Sequence, residues 1–170
     1  MDYLHITLRI IHIGAGVFWV GGVLIMTFFI APTIQATGEA GQKFAAHLVG
    51  VKKMSTIMSI ASGLTALAGF FLYYLDSDGF QSVAWMISSA GSGFGIGAVF
   101  GVIGFVYGNL IGVTTRAMVK LGAEMQGKPS PEQLTKMQSL QKRQGMATNV
   151  TAYSLILSVI FMSVARFLVF

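Results

Sequence analysis

Three residues near the start of the chain, His5, Arg9 and His12, are spaced i, i+4 and i+7 and so share one face of a helix. They open the segment "LHITLRIIHIGAGVFWVGGVLIMTFFIAP", after which no charge follows until Glu39. Gly16 and Trp19 continue the same stripe. Inside a bilayer such ionisable groups cost about 3 kcal/mol each unless they are paired or wetted. A partner is therefore implied. Near the other end of the chain, Met162 lies one turn before Arg166. If the first and last apolar segments run antiparallel, a rise of about 1.5 Å per residue sets His12 level with Met162 and Arg9 level with Arg166. A haem b needs this set: iron takes His or Met axially, and guanidinium forks suit propionates. His12 and Met162 are the candidate ligands, Arg9 and Arg166 the candidate propionate partners, and His5 extends the face at the rim. A second arrangement puts His12 on a dimer axis, facing its own copy. The plain alternative is that His12 bonds a neighbouring carbonyl or water while the arginines snorkel to headgroups.

A second constellation is His47, Met54 and Met58, at i, i+7 and i+11. On one continuous helix they would share roughly one face, and imidazole with thioethers suits Cu(I). Against copper, methionine is a common filler of apolar cores, and the chain has ten. No cysteine is present, which excludes disulfides, thiolate metal sites and Cys-attached haem.

The elements that must position these residues follow from composition. The 170-residue chain is 54% hydrophobic and only 10% charged, far from a soluble domain. Its charge-free runs are Ile10 to Gly38, Met54 to Leu75, Gly79 to Thr115 and Gln144 to Ala165. Each exceeds the roughly 20 residues needed to cross a hydrocarbon core. The expected fold is an all-α integral membrane four-helix bundle, one domain over 1–170, with spans at about 4–32, 54–75, 84–115 and 146–169 and short amphipathic cytoplasmic helices. The first segment lacks a basic n-region and a small-x-small cleavage site, so it reads as a span that stays.

Charge sets the expected orientation. Lys43, Lys52 and Lys53 follow span one, and Arg116, Lys120, Lys128, Lys136, Lys142 and Arg143 follow span three, nine of the eleven basic residues. The middle loop "DSDG" has two acids and no base. By the positive-inside rule the basic loops face the cytoplasm and both termini lie outside the inner (plasma) membrane. The net charge of +5 is thus a topology signal and not a nucleic-acid surface.

Local signals bound the helices. Pro32 should stop or kink span one. Phe44, Leu48 and Val51 recur at helical spacing beside Lys43 and His47, which predicts an interfacial helix running into span two. "GKPSPEQ" reads as a helix start, with Ser130 as N-cap, Pro131 first and Gln133 closing a capping box. Leu134, Met137 and Leu140 form an apolar stripe leading toward span four, with Gly145 at the join. In span three, Gly97, Gly101, Gly104, Gly108 and Gly112 fall on one face. Such a row lets another backbone come close, within the bundle or across a homo-oligomer, and a glycine groove also makes room for a macrocycle. Asn109 and Asn149 are expected to bond across helices.

The run "RIIHIGAGVFWVGGVLIMTFFIAP" resembles the first span of bacterial four-helix membrane proteins related to the copper resistance D (CopD-like) family. His12, Trp19, Gly21, Gly22 and Pro32 carry the resemblance, which weakens into "SGLTALAGFFLYY" of span two. It implies a small bundle with His12 as a ligand, and relatives of this type include proteins proposed to move copper and others that bind haem b. The chain is shorter than the copper-family domain and has no soluble copper-binding partner domain.

All six acids lie in loops or at the N-terminus, so no carboxylate is placed inside a span as a proton relay or general base. That argues against a hydrolytic or acid–base enzyme and against a proton-coupled pump. Three functions remain: a membrane b-type cytochrome passing electrons, a non-redox structural or accessory subunit, and copper handling.

Overall fold

The structure, a computed structural model, describes residues 3–125 and 129–168. Lys128 and residue 169 of the expected fourth span lie outside them. Among the described residues all regular structure is helical: α1 (Tyr3–Ile25), a π-turn (Met26–Ile30), α2 (Ala31–Ala36), α3 (Glu39–Gly50), α4 (Met54–Asp76), α5 (Val83–Met86), α6 (Ser89–Glu124), α7 (Pro131–Val164) and a 3-10 turn (Ala165–Phe167). Four segments are long and apolar enough to cross a membrane: Tyr3–Ala36, Met54–Asp76, Ser89–Glu124 and Pro131–Phe167. Their outer surface is apolar, with Val17, Phe18, Phe70, Val102 and Ile160 all exposed.

The bundle is built from two antiparallel pairs, α1 on α4 and α6 on α7, the second being the more extensive. In α6, Gly93, Gly97, Gly101, Gly104 and Gly108 meet Ala165, Met162, Ser158, Leu155 and Thr151 in turn. A Cβ built on Gly93 would lie 2.7 Å from the Ala165 Cα, and one on Gly104 would lie 2.7 Å from the Leu155 side chain. The Ser158 hydroxyl donates to the Gly97 carbonyl at 2.8 Å, a polar tie that such close backbones permit. The glycine row therefore packs within the chain against α7. Gly112 does not belong to this contact, since its nearest neighbour is Arg116 of its own helix. Gly93, outside the expected row, does.

The two pairs meet around Trp19, which is 4% exposed and packs with Ala61 and Leu155. Its ring stands edge-on to Phe105, with centroids 6.5 Å apart. One layer thus holds a residue from each of the four long helices.

Several expected boundaries shift. Pro32 does not end span one: its ring would clash with the carbonyl four residues back in a regular helix, and the chain relieves this with the π-turn Met26–Ile30 before continuing through α2. The interfacial helix does not run into span two, because α3 ends at Gly50 and Lys53 adopts a left-handed φ of 52° before α4 starts. Span three begins at Ser89, capped by Ser88, after the separate short α5. The Ser130–Gln133 capping box forms, but α7 passes through Gly145 without a join. Asn109 donates to the Phe105 carbonyl of its own helix at 2.8 Å, and both Asn109 and Asn149 are exposed.

Helices α6 and α7 contain 36 and 34 residues, or about 50 Å of rise each. This exceeds a hydrocarbon core of about 30 Å. The hairpin therefore continues beyond the apolar zone at the basic end, where Gln144 donates to Thr115 at 3.0 Å between the two helices.

The close contacts give a direct test. Gly93→Ala and Gly104→Leu should each destabilise the protein by about 1–3 kcal/mol, the usual cost of overpacking. Val102→Leu on the exposed face should leave the thermal midpoint in detergent unchanged. Equal midpoints for the three variants would contradict the packing described.

Candidate functional site around His12

The pairing of α1 with α4 decides what surrounds His12. Gly16 lies against Thr65, where an added Cβ would come within 3.3 Å of Cγ2, and Gly22 lies against Met58. Between these small residues and the helix end, the His12 imidazole crosses to α4. Its Nδ1 lies 2.8 Å from the Thr65 carbonyl oxygen. A carbonyl only accepts, so Nδ1 carries the proton and donates. In the neutral ring Nε2 is then the atom with the lone pair, and it makes no hydrogen bond among the described residues.

Gly69 makes the crossing possible. A Cβ there would lie 2.6 Å from His12 Cε1 and 2.8 Å from Nδ1, inside the ring's own volume. Thr65 is buried, and its hydroxyl donates to Ala61 at 2.8 Å, leaving its carbonyl to receive the imidazole. Histidine on α1 and glycine on α4 are thus a matched pair. Sequence reasoning marked His12 but missed Thr65 and Gly69, because only the antiparallel register brings them together.

Met162 lies on α7 on the same side of Trp19 as His12. His12 is two turns from Trp19 and Met162 two turns from Leu155, about 10 Å in each case toward the same end of the bundle. Trp19 and Leu155 touch, so His12 and Met162 occupy one level. The Met162 stem is seated on Gly97 of α6, 2.7 Å from where a Cβ would stand. Arg9 and Arg166 are both exposed at that end. His5 Nε2 lies 3.6 Å from Asp76 Oδ1 and joins the start of α1 to the end of α4.

His47, Met54 and Met58 do not lie on one continuous helix. The α3–α4 break removes the continuous helix that their spacing required. His47 is exposed, while the Met58 methyl fills the notch at Gly22. Among the described residues no cluster of three or more His, Asp or Glu side chains is placed to hold a metal ion.

A histidine that ligates metal through one ring nitrogen commonly donates the other N–H to a backbone carbonyl, which fixes tautomer and ring plane. The His12–Thr65 bond has this form. It serves equally as a tie between two helices. Toward one end of the bundle the described residues thus hold one imidazole against α4, one thioether against α6 and two exposed guanidinium groups.

The Nδ1–H tautomer should show in the 15N shifts of the imidazole in lipid-embedded protein. Gly69→Ala should displace the ring and abolish the hydrogen-bonded Nδ1 signal, whereas Gly63→Ala on the same helix, with open space at its Cβ, should preserve it. An unchanged signal in Gly69→Ala would contradict the contact.

No family model, curated protein or solved structure matches the chain, so the functional reading rests on the chemistry of the site itself.

Proposed function

We propose that the chain is a small membrane b-type cytochrome in which His12 Nε2 would hold a haem b near the outer face of the inner membrane. The observation that carries this reading is the Nδ1–H bond to the Thr65 carbonyl, which leaves Nε2 as the available donor atom. The resemblance of span one to CopD-like proteins favours His12 as a ligand without choosing between haem and copper. When bound, haem b supplies one-electron transfer.

The chain's own residues hold and orient. The Thr65 carbonyl, accepting the Nδ1–H hydrogen bond, and the Gly69 notch fix the imidazole tautomer and ring plane. Met162 would offer its thioether to the same iron. Arg9 and Arg166, exposed at the same end, would meet propionates with their guanidinium forks. The His5–Asp76 pair ties α1 to α4 near the same end. The competing reading is a non-redox bundle in which the same bond only ties α1 to α4.

Absorbance of protein expressed with ample haem separates the two. A Soret band that shifts on dithionite reduction is expected, and His12→Ala should abolish it. His47→Ala should retain it, since His47 is exposed on α3 at the other end. Colourless, folded wild-type protein would assign His12 to the structural role.

Orientation is the second part of the proposal. Nine of eleven bases fall in two loops, which supports a cytoplasmic basic end and external termini. An impermeant thiol reagent on intact spheroplasts should label Asp76→Cys and spare Lys136→Cys; the opposite pattern would invert the topology.

A further inference from the structure

The π-turn of α1 contains the one buried side-chain polar atom without a hydrogen-bond partner among the described residues, the Thr27 hydroxyl. Six other threonines, Thr33, Thr37, Thr65, Thr114, Thr135 and Thr151, donate to the carbonyl four residues before them. Thr27 does not, although its oxygen is buried.

Its carbonyl loses its usual backbone donors as well, for a separate reason. In a helix the carbonyl of residue 27 takes its bond from the N–H of residue 31, or in a π-turn from that of residue 32. The N–H of Ala31 reaches back instead to the Met26 carbonyl. Residue 32 is proline and has no N–H. The Thr27 hydroxyl oxygen is thus buried without a partner, beside a carbonyl whose two usual backbone donors are diverted or missing. A backbone carbonyl left without a donor is costly inside an apolar helix, and helices interrupted by proline usually regain the lost bond from a neighbouring helix, a side chain or water.

We propose that the Thr27 turn is a binding site for a single water molecule, which donates one proton to the Thr27 carbonyl and pairs with the Thr27 hydroxyl. The chemistry selects water over a cation. The carbonyl needs a donor, and the two oxygens fall well short of the roughly six that a hard cation takes. No acid lies between residues 3 and 38 to balance its charge. Two polar partners meet the requirement for a buried water. Gly22 meets Met58, so Thr27, five residues further on, stands level with the start of α4, close to where the chain turns polar at Lys52 and Lys53. The site is independent of any ligand at His12.

Water-edited solid-state NMR of labelled protein in lipid bilayers tests this. Water-to-amide transfer at Thr27 and Phe28 should exceed that at Val20 and Val23 several-fold. Pro32→Ala restores an N–H and should reduce the transfer at residues 27 and 28 to the level of Val20. Thr27→Val should weaken it while leaving the α1 shifts from His12 to Trp19 unchanged. Residues 27 and 28 as dry as Val20 in the wild type would overturn the proposal. So would a Thr27 hydroxyl signal coupled to the Val23 carbonyl, which would make the turn an ordinary back-bonded helix.

Discussion

Close approach of helix backbones across missing side chains is the constraint on which the structure depends. Between helices in lipid there is no water to expel, so contact area and internal hydrogen bonds must supply the attraction. In α6 and α7 this takes the form of a glycine at nearly every turn facing Ala165, Met162, Ser158, Leu155 and Thr151. In α1 and α4 it is the alternation of Gly16 against Thr65, Gly22 against Met58 and His12 against Gly69. These contacts set the two registers, and the registers decide every other neighbour. Trp19 then locks the pairs together through Ala61, Phe105 and Leu155.

The same constraint explains why a histidine is tolerated in the middle of a helix interface. Its proton-bearing nitrogen finds a backbone carbonyl, and the residue one turn beyond that carbonyl has no side chain to obstruct it. Polar residues elsewhere in the interior are handled locally. Thr65, Thr114 and Thr151 fold their hydroxyls onto the preceding turn. Ser158 instead reaches across to Gly97, where the helices are closest.

Much of the fold was legible because long apolar helices announce themselves by length and lack of charge. The four long segments, the capping box at Ser130 and the role of the glycine row follow from composition and spacing alone. What spacing could not show was where a helix yields. His47, Met54 and Met58 were aligned on an assumed continuous helix, yet a left-handed Lys53 separates them. Gly145 carried a break signal that the neighbouring α6 overrides by packing. The candidate site was legible in one half only. His12 and the level of Met162 follow from counting residues, whereas Thr65 and Gly69 depend on a register between two helices that no local pattern encodes.

The length of the α6–α7 hairpin has a practical side. At about 50 Å each, these continuous helices carry the bundle's axis rigidly past the apolar zone at the basic end. A 170-residue bundle buried in a detergent belt has almost no feature by which a single particle can be oriented. The hairpin supplies one. A rigid helical protein spliced in phase into both strands of it would inherit their direction, so the fused mass would act as a fiducial whose tilt reports that of the four-helix core.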